Sequence, residues 1–222
     1  MSPMRYPYSR LVFAAGLAAA LSLSSLGIAA DMPMPPAPST DLTKIPKATY
    51  ALDPNHVNVV FKISHLGFST FIGRFNTIGG ELAFNSSKPE KSKLTVKIDP
   101  ASVDTKVAKL DEHLKGEDFF NVAKFPEVTF KSAKIEKLSE STGKVTGDLT
   151  LHGVTKPVTL DVVFHGAGLF PMTGAMTLGF DAEAKIKRSD FGIDKYIPMV
   201  GDEVTLIIEA EFHVPPPAEK KP

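Results

Sequence analysis

The 222-residue chain contains no cysteine. No disulfide can therefore constrain it, and its stability has to come from a buried core. The absence of thiols also excludes cysteine-based zinc sites and a lipid anchor attached to cysteine. An excess of charge of one sign is lacking too, because 25 Lys and Arg residues face 25 Asp and Glu residues. This balance indicates no preference for nucleic acid or for anionic membrane surfaces.

Residues 1–30 have the pattern of a cleavable signal peptide. Arg5 and Arg10 form a basic start, and an apolar run rich in small residues extends over 11–28. The run is also nearly long enough to be an uncleaved membrane anchor, but the small residues at its end favour cleavage. Since no later run approaches a membrane span, we predict a soluble, exported, periplasmic protein with a net charge near −2 once the two arginines are removed.

Proline marks both borders of the remaining chain. Five prolines fall within residues 32–47, so we predict that residues 31–47 form an extended linker. The sequence PPPAEKKP ends the chain, and residues 215–222 are predicted to be a disordered tail. One folded domain is expected over residues 48–214.

Alternation of polar and apolar residues dominates this domain. In HVNVVFKISH, for example, Val57, Val59, Phe61 and Ile63 fall on one face. Gly79-Gly80 is predicted to form a bulge in the second strand, since the alternation shifts there. Eight strands are predicted, near residues 56–65, 71–84, 93–99, 128–137, 145–152, 158–165, 176–185 and 204–213. The pattern alone is compatible with a two-layer sandwich or with a barrel.

Short connections between most strands favour a meander, and so an up-and-down barrel. In such a barrel the connections from odd to even strands all lie at one rim. These are residues 66–70, 101–126, 153–157 and 186–202. Both long connections are therefore predicted to share a rim, where insertions of this length often form lids or binding loops.

The first long connection carries a short helix and two aromatic residues. We predict that Asp104 caps the helix and that Gly116 ends it, with Phe119 and Phe120 following at the rim. These rings either cover the mouth of a ligand cavity or plug a solid barrel end. We expect the other long connection to cover the same barrel end with Phe191, Tyr196, Ile197 and Met199.

Several of these segments resemble a known family. HLGFSTFIGRF, VDTKVAKLDEHLKGEDFFNVAKFPEVTF, GDLTLHGVTKPV, and IKRSDFGI near VGDEV match in order the pattern of the YceI-like polyisoprenoid-binding proteins, from about Tyr50 to Phe212. The resemblance implies an all-β, lipocalin-like, eight-stranded antiparallel up-and-down barrel, with a short helical insertion between strands 3 and 4. It also implies a periplasmic carrier of a long-chain isoprenoid or similar amphipathic lipid, and a membrane-bound donor or acceptor.

The candidate ligand-binding residues follow from this hypothesis. The tail would contact inward-facing and rim residues: Val59, Phe61, Ile63, Phe75, Phe84, Phe119, Phe120, Phe130, Leu151, Phe164, Leu178, Phe180, Phe191, Leu206 and Ile208. Hydrogen bonds to a polar head group would come from His65, Asp111, His113, His152, Arg188 and Asp190. Arg188 and Asp190 are alternatively expected to pair with each other and hold the loop, which we favour.

Three other functions are weighed against the carrier. Catalysis could use His65, His113, His152 or His165 with Asp111 or Asp190, but no nucleophile elbow, phosphate loop or paired-carboxylate motif is present. No metal site and no cofactor are expected, because no histidines stand at H-x-H or H-x-x-x-H spacing. The third alternative is a stress-related interaction protein with a packed barrel. A homodimer is an open alternative to a monomer.

Overall fold

The computed structural model describes residues 36–214, which form a β-barrel with one short α-helix. Its strands are β1 Ala48–His65, β2 Ser69–Phe75, β3 Ile78–Phe84, β4 Lys93–Ile98, β5 Val103–Asp104, β6 Val128–Lys137, β7 Thr142–Leu151, β8 Val154–Leu169, β9 Met176–Lys187 and β10 Val200–His213. The helix α1 spans Ala108–Lys115, and 3-10 turns cover Leu42–Lys44, Pro89–Lys91, Pro100–Ser102 and Arg188–Phe191.

Pairing of β1 with β10 closes the barrel. The two strands are antiparallel, with Val59 opposite Ile208 and Phe61 opposite Leu206. Eight positions follow one another around the barrel. β1 takes the first, β2 and β3 share the second, and β4 and β5 share the third. β6 to β10 take the other five in chain order. Each strand therefore lies beside its neighbour in the chain, and the predicted eight-stranded antiparallel up-and-down barrel is confirmed.

One barrel position is shared by β2 and β3. The second half of β1 pairs with β2 and its first half with β3. The chain is interrupted between them at Asn76 and Thr77, whose N–H groups both donate to the Ser102 hydroxyl, at 3.2 and 2.9 Å. The Asn76 N–H also donates to the Ser102 backbone carbonyl at 3.1 Å, so the segment at Ser102 holds the chain where the strand is interrupted.

The predicted bulge at Gly79-Gly80 is wrong. Both glycines pair with β4 in unbroken register, Gly79 with Lys97 and Gly80 with Val96. A Cβ atom on Gly80 would lie 2.5 Å from the Thr95 carbonyl oxygen. Gly80 therefore permits close approach of two strands, which a glycine pair in a sequence does not distinguish from a bulge.

The helix begins later than predicted, and Asp104 does not cap it. Its carboxylate instead accepts the Lys106 N–H at 2.9 Å and pairs with Arg74 at 3.1 Å. The helix starts at Ala108 without a side-chain cap and ends at Gly116, as expected. Its place between β5 and β6 puts it between the third and fourth barrel positions.

The predicted linker is shorter than expected. From Ser39 onward it packs on the barrel: Ser39 and Ala167 exchange two backbone hydrogen bonds of 2.8 and 2.9 Å. Ile45 is buried, and the Tyr50 hydroxyl donates to the Pro46 carbonyl at 2.8 Å. The predicted signal peptide, the first residues of the predicted linker and the predicted tail lie outside the described residues.

The barrel interior is divided between two groups of packed side chains. The rim cluster centres on Phe130, Leu151, Phe191 and Ile193. The base cluster centres on other buried residues: Ile45, Tyr50, Leu82, Phe84, Leu178 and Phe212. Leu94, Val96, Ile98 and Ile208 touch both clusters. Within residues 36–214 no helix is long and apolar enough to cross a membrane.

Candidate functional site: an apolar cavity in the barrel

A cavity of about 230 Å³ lies where the two clusters meet. Its walls come from both of them, for example Phe130 and Leu160 from the rim cluster and Leu82 and Phe212 from the base cluster. The lining inside the barrel is aliphatic or aromatic, because the strands alternate and each places its apolar face inward. Such a space favours hydrocarbon and offers water few hydrogen-bonding partners.

The cavity extends toward the end of the barrel opposite the rim formed by residues 66–70, 101–126, 153–157 and 186–202. Leu42 of the N-terminal segment and Pro89 and Ser92 of the β3–β4 connection line it there. The β6–β7 hairpin contributes polar lining residues: Glu136, Lys137, Ser139, Glu140, Ser141, Thr142 and Lys144. Polar groups therefore lie at this end of the cavity and apolar groups inside it.

The predicted mouth at the opposite rim is closed. Phe191 is 1% exposed, Phe119 9% and Ile193 3%, all packed in the rim cluster. Phe120 contacts Phe75, with ring centroids 5.4 Å apart, and Phe75 contacts Phe61 at 5.8 Å. In the described chain, none of these rings lines the cavity. The rim aromatics plug the barrel end, which is the second of the two alternatives.

The predicted tail-contact residues divide accordingly. Seven line the cavity, namely Val59, Phe84, Phe130, Phe164, Phe180, Leu206 and Ile208. Eight are not among its lining: Phe61, Ile63, Phe75, Phe119, Phe120, Leu151, Leu178 and Phe191. Alternation predicted the inward face of each strand, but it does not reveal which inward residues pack against one another and which border empty space.

The four connections that were predicted to share one rim do meet there. Leu66 N–H donates to the Met199 carbonyl at 2.7 Å, joining the first and the last of these connections. Lys195 pairs with Asp118 at 3.2 Å, which joins the two long connections. His152 contacts Phe191, as described below. The prediction of a shared rim is confirmed.

Arg188 holds the last connection from inside. Its side chain is buried, and it donates to the carbonyls of Gly201, Ile193 and Val200 at 2.8, 3.0 and 3.0 Å. Burial lowers the pKa of Arg188, but a guanidinium remains charged in proteins. No ion pair between Arg188 and Asp190 is present within the described chain, and Asp190 is exposed. The favoured structural role is therefore supported with different partners.

The Asp202 carboxylate anchors the start of the same connection. It accepts the Ser189 N–H at 2.9 Å and the Ser189 hydroxyl at 2.8 Å. The backbone hydrogen bond is the main cause that lowers the pKa of Asp202, and the hydroxyl bond adds to it. Asp202 and Arg188 together fix the loop between β9 and β10.

The other head-group candidates have separate surroundings. Asp111 accepts two hydrogen bonds, from the Thr105 N–H at 2.8 Å and from the Thr105 hydroxyl at 2.6 Å. These bonds hold the segment that precedes α1. His113 packs against Phe119, with centroids 5.1 Å apart. His65 lies exposed at the end of β1. These side chains share a rim but do not converge on the cavity.

His152 is held at the same rim by two contacts. Its Nδ1–H donates to the Phe191 carbonyl at 3.1 Å, since a carbonyl only accepts. Phe125 packs on its ring at 4.7 Å. Its Nε2 is buried and has no hydrogen-bond partner in the described part of the chain.

Sequence reasoning missed the polar lining at the β6–β7 hairpin. Residues 138–142 are an ordinary polar turn in the sequence and carry no ligand-binding motif. Only the position of this hairpin relative to Leu42 and Pro89 places it beside the cavity.

Comparison with known proteins agrees with this architecture. The YceI-like domain model matches residues 50–212. A UPF0312 protein of Azotobacter vinelandii is 43% identical over 166 residues, which is 74% of this chain and 86% of that protein.

Solved structures also match. BcnA of Burkholderia cenocepacia superimposes with a TM-score of 0.66 at 26% identity, over 72% of this chain and 98% of BcnA. A polyisoprenoid binding domain from Saccharophagus degradans superimposes with a TM-score of 0.58, over 75% of this chain and 98% of the domain. Its 16% identity makes that likeness one of fold alone.

The family match covers the whole barrel, and the curated relative shares more than two fifths of the aligned residues. This chain is a member of the YceI-like domain family.

Proposed function

We propose that this protein is a periplasmic carrier of a long-chain isoprenoid or similar amphipathic lipid, whose tail lies in the barrel cavity. The observation that carries the proposal is the apolar space between the two core clusters. A domain of the same fold is described as a polyisoprenoid binding domain, and we extend that ligand class to this chain as part of the proposal.

The cavity volume limits how much tail it holds. A cavity of about 230 Å³ is smaller than the roughly 300–1,000 Å³ of pockets that hold drug-sized ligands. Each methylene buried there contributes about 0.8 kcal/mol before ordering costs. We therefore expect only part of a long tail to lie in this space.

The lipid is proposed to enter at the β6–β7 hairpin. This end combines cavity access with hydroxyl and ammonium groups, for example Ser139, Thr142 and Lys137. Such groups can donate hydrogen bonds to a quinone or phosphate head group while the tail stays in hydrocarbon. The rim candidates named from the sequence remain predictions for this role.

Partners are proposed from the same reasoning. Delivery of a lipid requires a membrane-bound donor or acceptor. A second copy of the chain is a further predicted partner, and exposed apolar side chains at the aromatic rim offer a surface for contact: Leu66, Phe68, Ile72 and Met199.

Binding is proposed in preference to catalysis. The histidines and acidic residues considered for acid–base chemistry are distributed among separate contacts. Asp111 is bonded to Thr105, His113 packs on Phe119, and His165 pairs with Asp181 on the surface at 2.8 Å. The packed-barrel interaction protein is the remaining alternative.

Lipid loading measured by native mass spectrometry tests the proposal. Tag-free protein purified from cells that contain membranes is examined as isolated, and then after incubation with farnesol and with a longer polyprenol. We expect a co-purified or loaded adduct. Repeated failure to load either alcohol favours the packed barrel.

Ala182→Phe tests whether the cavity is the site. Ala182 lines the cavity beside Ile208, so a phenyl ring there should occupy part of the space and strongly reduce loading. Val163→Phe is the matched control, because Val163 lies on the adjacent strand and is exposed. Equal loading of the two variants, both folded by circular dichroism, would contradict a site inside the barrel.

A further inference from the structure

Two histidines and two carboxylates meet outside the barrel where β1 and β10 close it. Asp53 and His56 come from β1, and Glu211 and His213 from β10. Ligand atoms of Asp53, His56 and Glu211 all lie within 4.8 Å of one another. His213 Nδ1 lies 4.0 Å from the Asp53 carboxylate.

An irregularity in the strand pairing creates this cluster. Leu52 pairs with Phe212, but the next pair is Val57 with Ala210, so residues 53–56 stand opposite Glu211 alone. The extra residues loop outward, and the Asn55 N–H donates to one Asp53 oxygen at 2.8 Å. The other oxygen contacts His56 Nδ1, also at 2.8 Å. Bulges commonly redirect side chains toward functional positions.

The opposite strand contributes Glu211 by alternation. Glu211 and His213 are two residues apart on β10 and share its outer face, while Phe212 between them is buried in the base cluster. Glu211 is half-buried, and one of its carboxylate oxygens lies within 4.8 Å of the ligand atoms of Asp53 and His56. A cation placed between the two carboxylates offsets their mutual repulsion.

An aromatic contact also positions His56. The ring of His56 packs on Phe170, with centroids 6.1 Å apart, which restricts its orientation.

We propose that Asp53, His56 and Glu211 bind one divalent transition-metal ion of the Zn²⁺ class, which joins β1 to β10. Imidazole nitrogen selects Zn²⁺ and its neighbours over Ca²⁺ or Mg²⁺, which take oxygen ligands. Around a tetrahedral ion with bonds of about 2.0–2.1 Å, ligand atoms lie about 3.3 Å apart. The ligand atoms of Asp53 and His56 lie 2.8 Å apart, and those of all three residues lie within 4.8 Å of one another, so side-chain rotation has to bring them to this spacing.

Sequence spacing did not predict this site. Asp53 and His56 precede Glu211 by about 155 positions in the chain, and only one of the three ligands is a histidine. H-x-H and H-x-x-x-H spacing is therefore absent, although two strands bring the three ligand groups together.

Zn²⁺ titration of the tag-free protein at pH 7.5 by isothermal calorimetry tests the proposal. We expect one site and at least about tenfold weaker binding for His56→Ala and for the isosteric Glu211→Gln. His165→Ala is the matched control, because His165 also pairs with a carboxylate on the surface but has only one such neighbour. Its Zn²⁺ affinity should equal that of the unmodified protein.

A thermal readout separates binding at this seam from binding elsewhere. At Zn²⁺ concentrations near 100 times the Kd, the melting temperature should rise by about 5–10 °C, reversibly with EDTA. The rise should vanish in Glu211→Gln, and Ca²⁺ should not produce it. A surface ion-pair network without metal is indicated, and the proposal overturned, if Zn²⁺ affinity is unchanged in His56→Ala or Glu211→Gln.

Discussion

Replacing Arg188 with alanine is expected to destabilise the protein strongly and leave lipid loading intact. The side chain is 5% exposed, and its three hydrogen bonds hold the loop between β9 and β10 to the barrel. A hydrogen bond from a charged group contributes about 1.5–3 kcal/mol, and part of this offsets the cost of burying the charge. We expect a net loss of about 3–5 kcal/mol, or roughly 6–20 °C in melting temperature for a domain of this size.

Thermal unfolding by circular dichroism measures the loss, and native mass spectrometry measures loading at a temperature where the variant is folded. Arg74→Ala is the matched control, because Arg74 forms a half-exposed pair with Asp104 and should cost at most about 1 kcal/mol. Arg188→Lys keeps the charge but lacks the planar fork, so it should lie between the two. Normal melting of Arg188→Ala with lost loading would refute this reasoning and assign Arg188 to the head group.

The remaining predictions concern the closed rim and its loop. Phe191→Ala should lower the free energy of unfolding by about 3–5 kcal/mol, because the ring is fully packed. Phe68 lies at the same rim but is 89% exposed, so Phe68→Ala should change that free energy by at most about 0.5 kcal/mol. Chemical denaturation of both variants measures the difference. Because the folded pKa of Asp202 is lowered, its contribution is present above about pH 4 and is lost as the pH falls through that lower value. The melting difference between the unmodified protein and Asp202→Asn should therefore be larger at pH 7 than at pH 3, and a difference independent of pH would contradict the role of the Ser189 bonds.

Strand alternation and loop parity predicted much of the architecture. Val59 and Ile208 were placed on inward faces, and the structure makes them direct neighbours across the barrel closure. Parity also placed His152 and Phe191 at one rim, where they share a hydrogen bond. These predictions succeed because side-chain direction in a strand has a period of two, and because antiparallel neighbours reverse direction at each turn.

Local sequence motifs predicted the structure less well where a residue contacts a segment that is distant in the chain. Aspartate commonly caps helices, yet the Asp104 carboxylate accepts hydrogen bonds from Arg74 and from the Lys106 N–H instead. A glycine pair within a strand often indicates a bulge, yet Gly79 and Gly80 both lie in a regular strand ladder. Ile45 stands in a proline-rich stretch, yet it is part of the base cluster. In each case a contact with a distant segment decided the outcome.

The amino-acid order alone determined that this chain forms a meander of strands with one apolar face, because that face must be buried and short turns join neighbours. It also determined which loops share a rim. Only the tertiary structure decided that the aromatic rim is plugged and that the cavity extends to the other end, since empty space is what remains after all side chains have packed. Closure of β1 onto β10 likewise decided that Asp53 and His56 meet Glu211, because their proximity exists only once the barrel is complete.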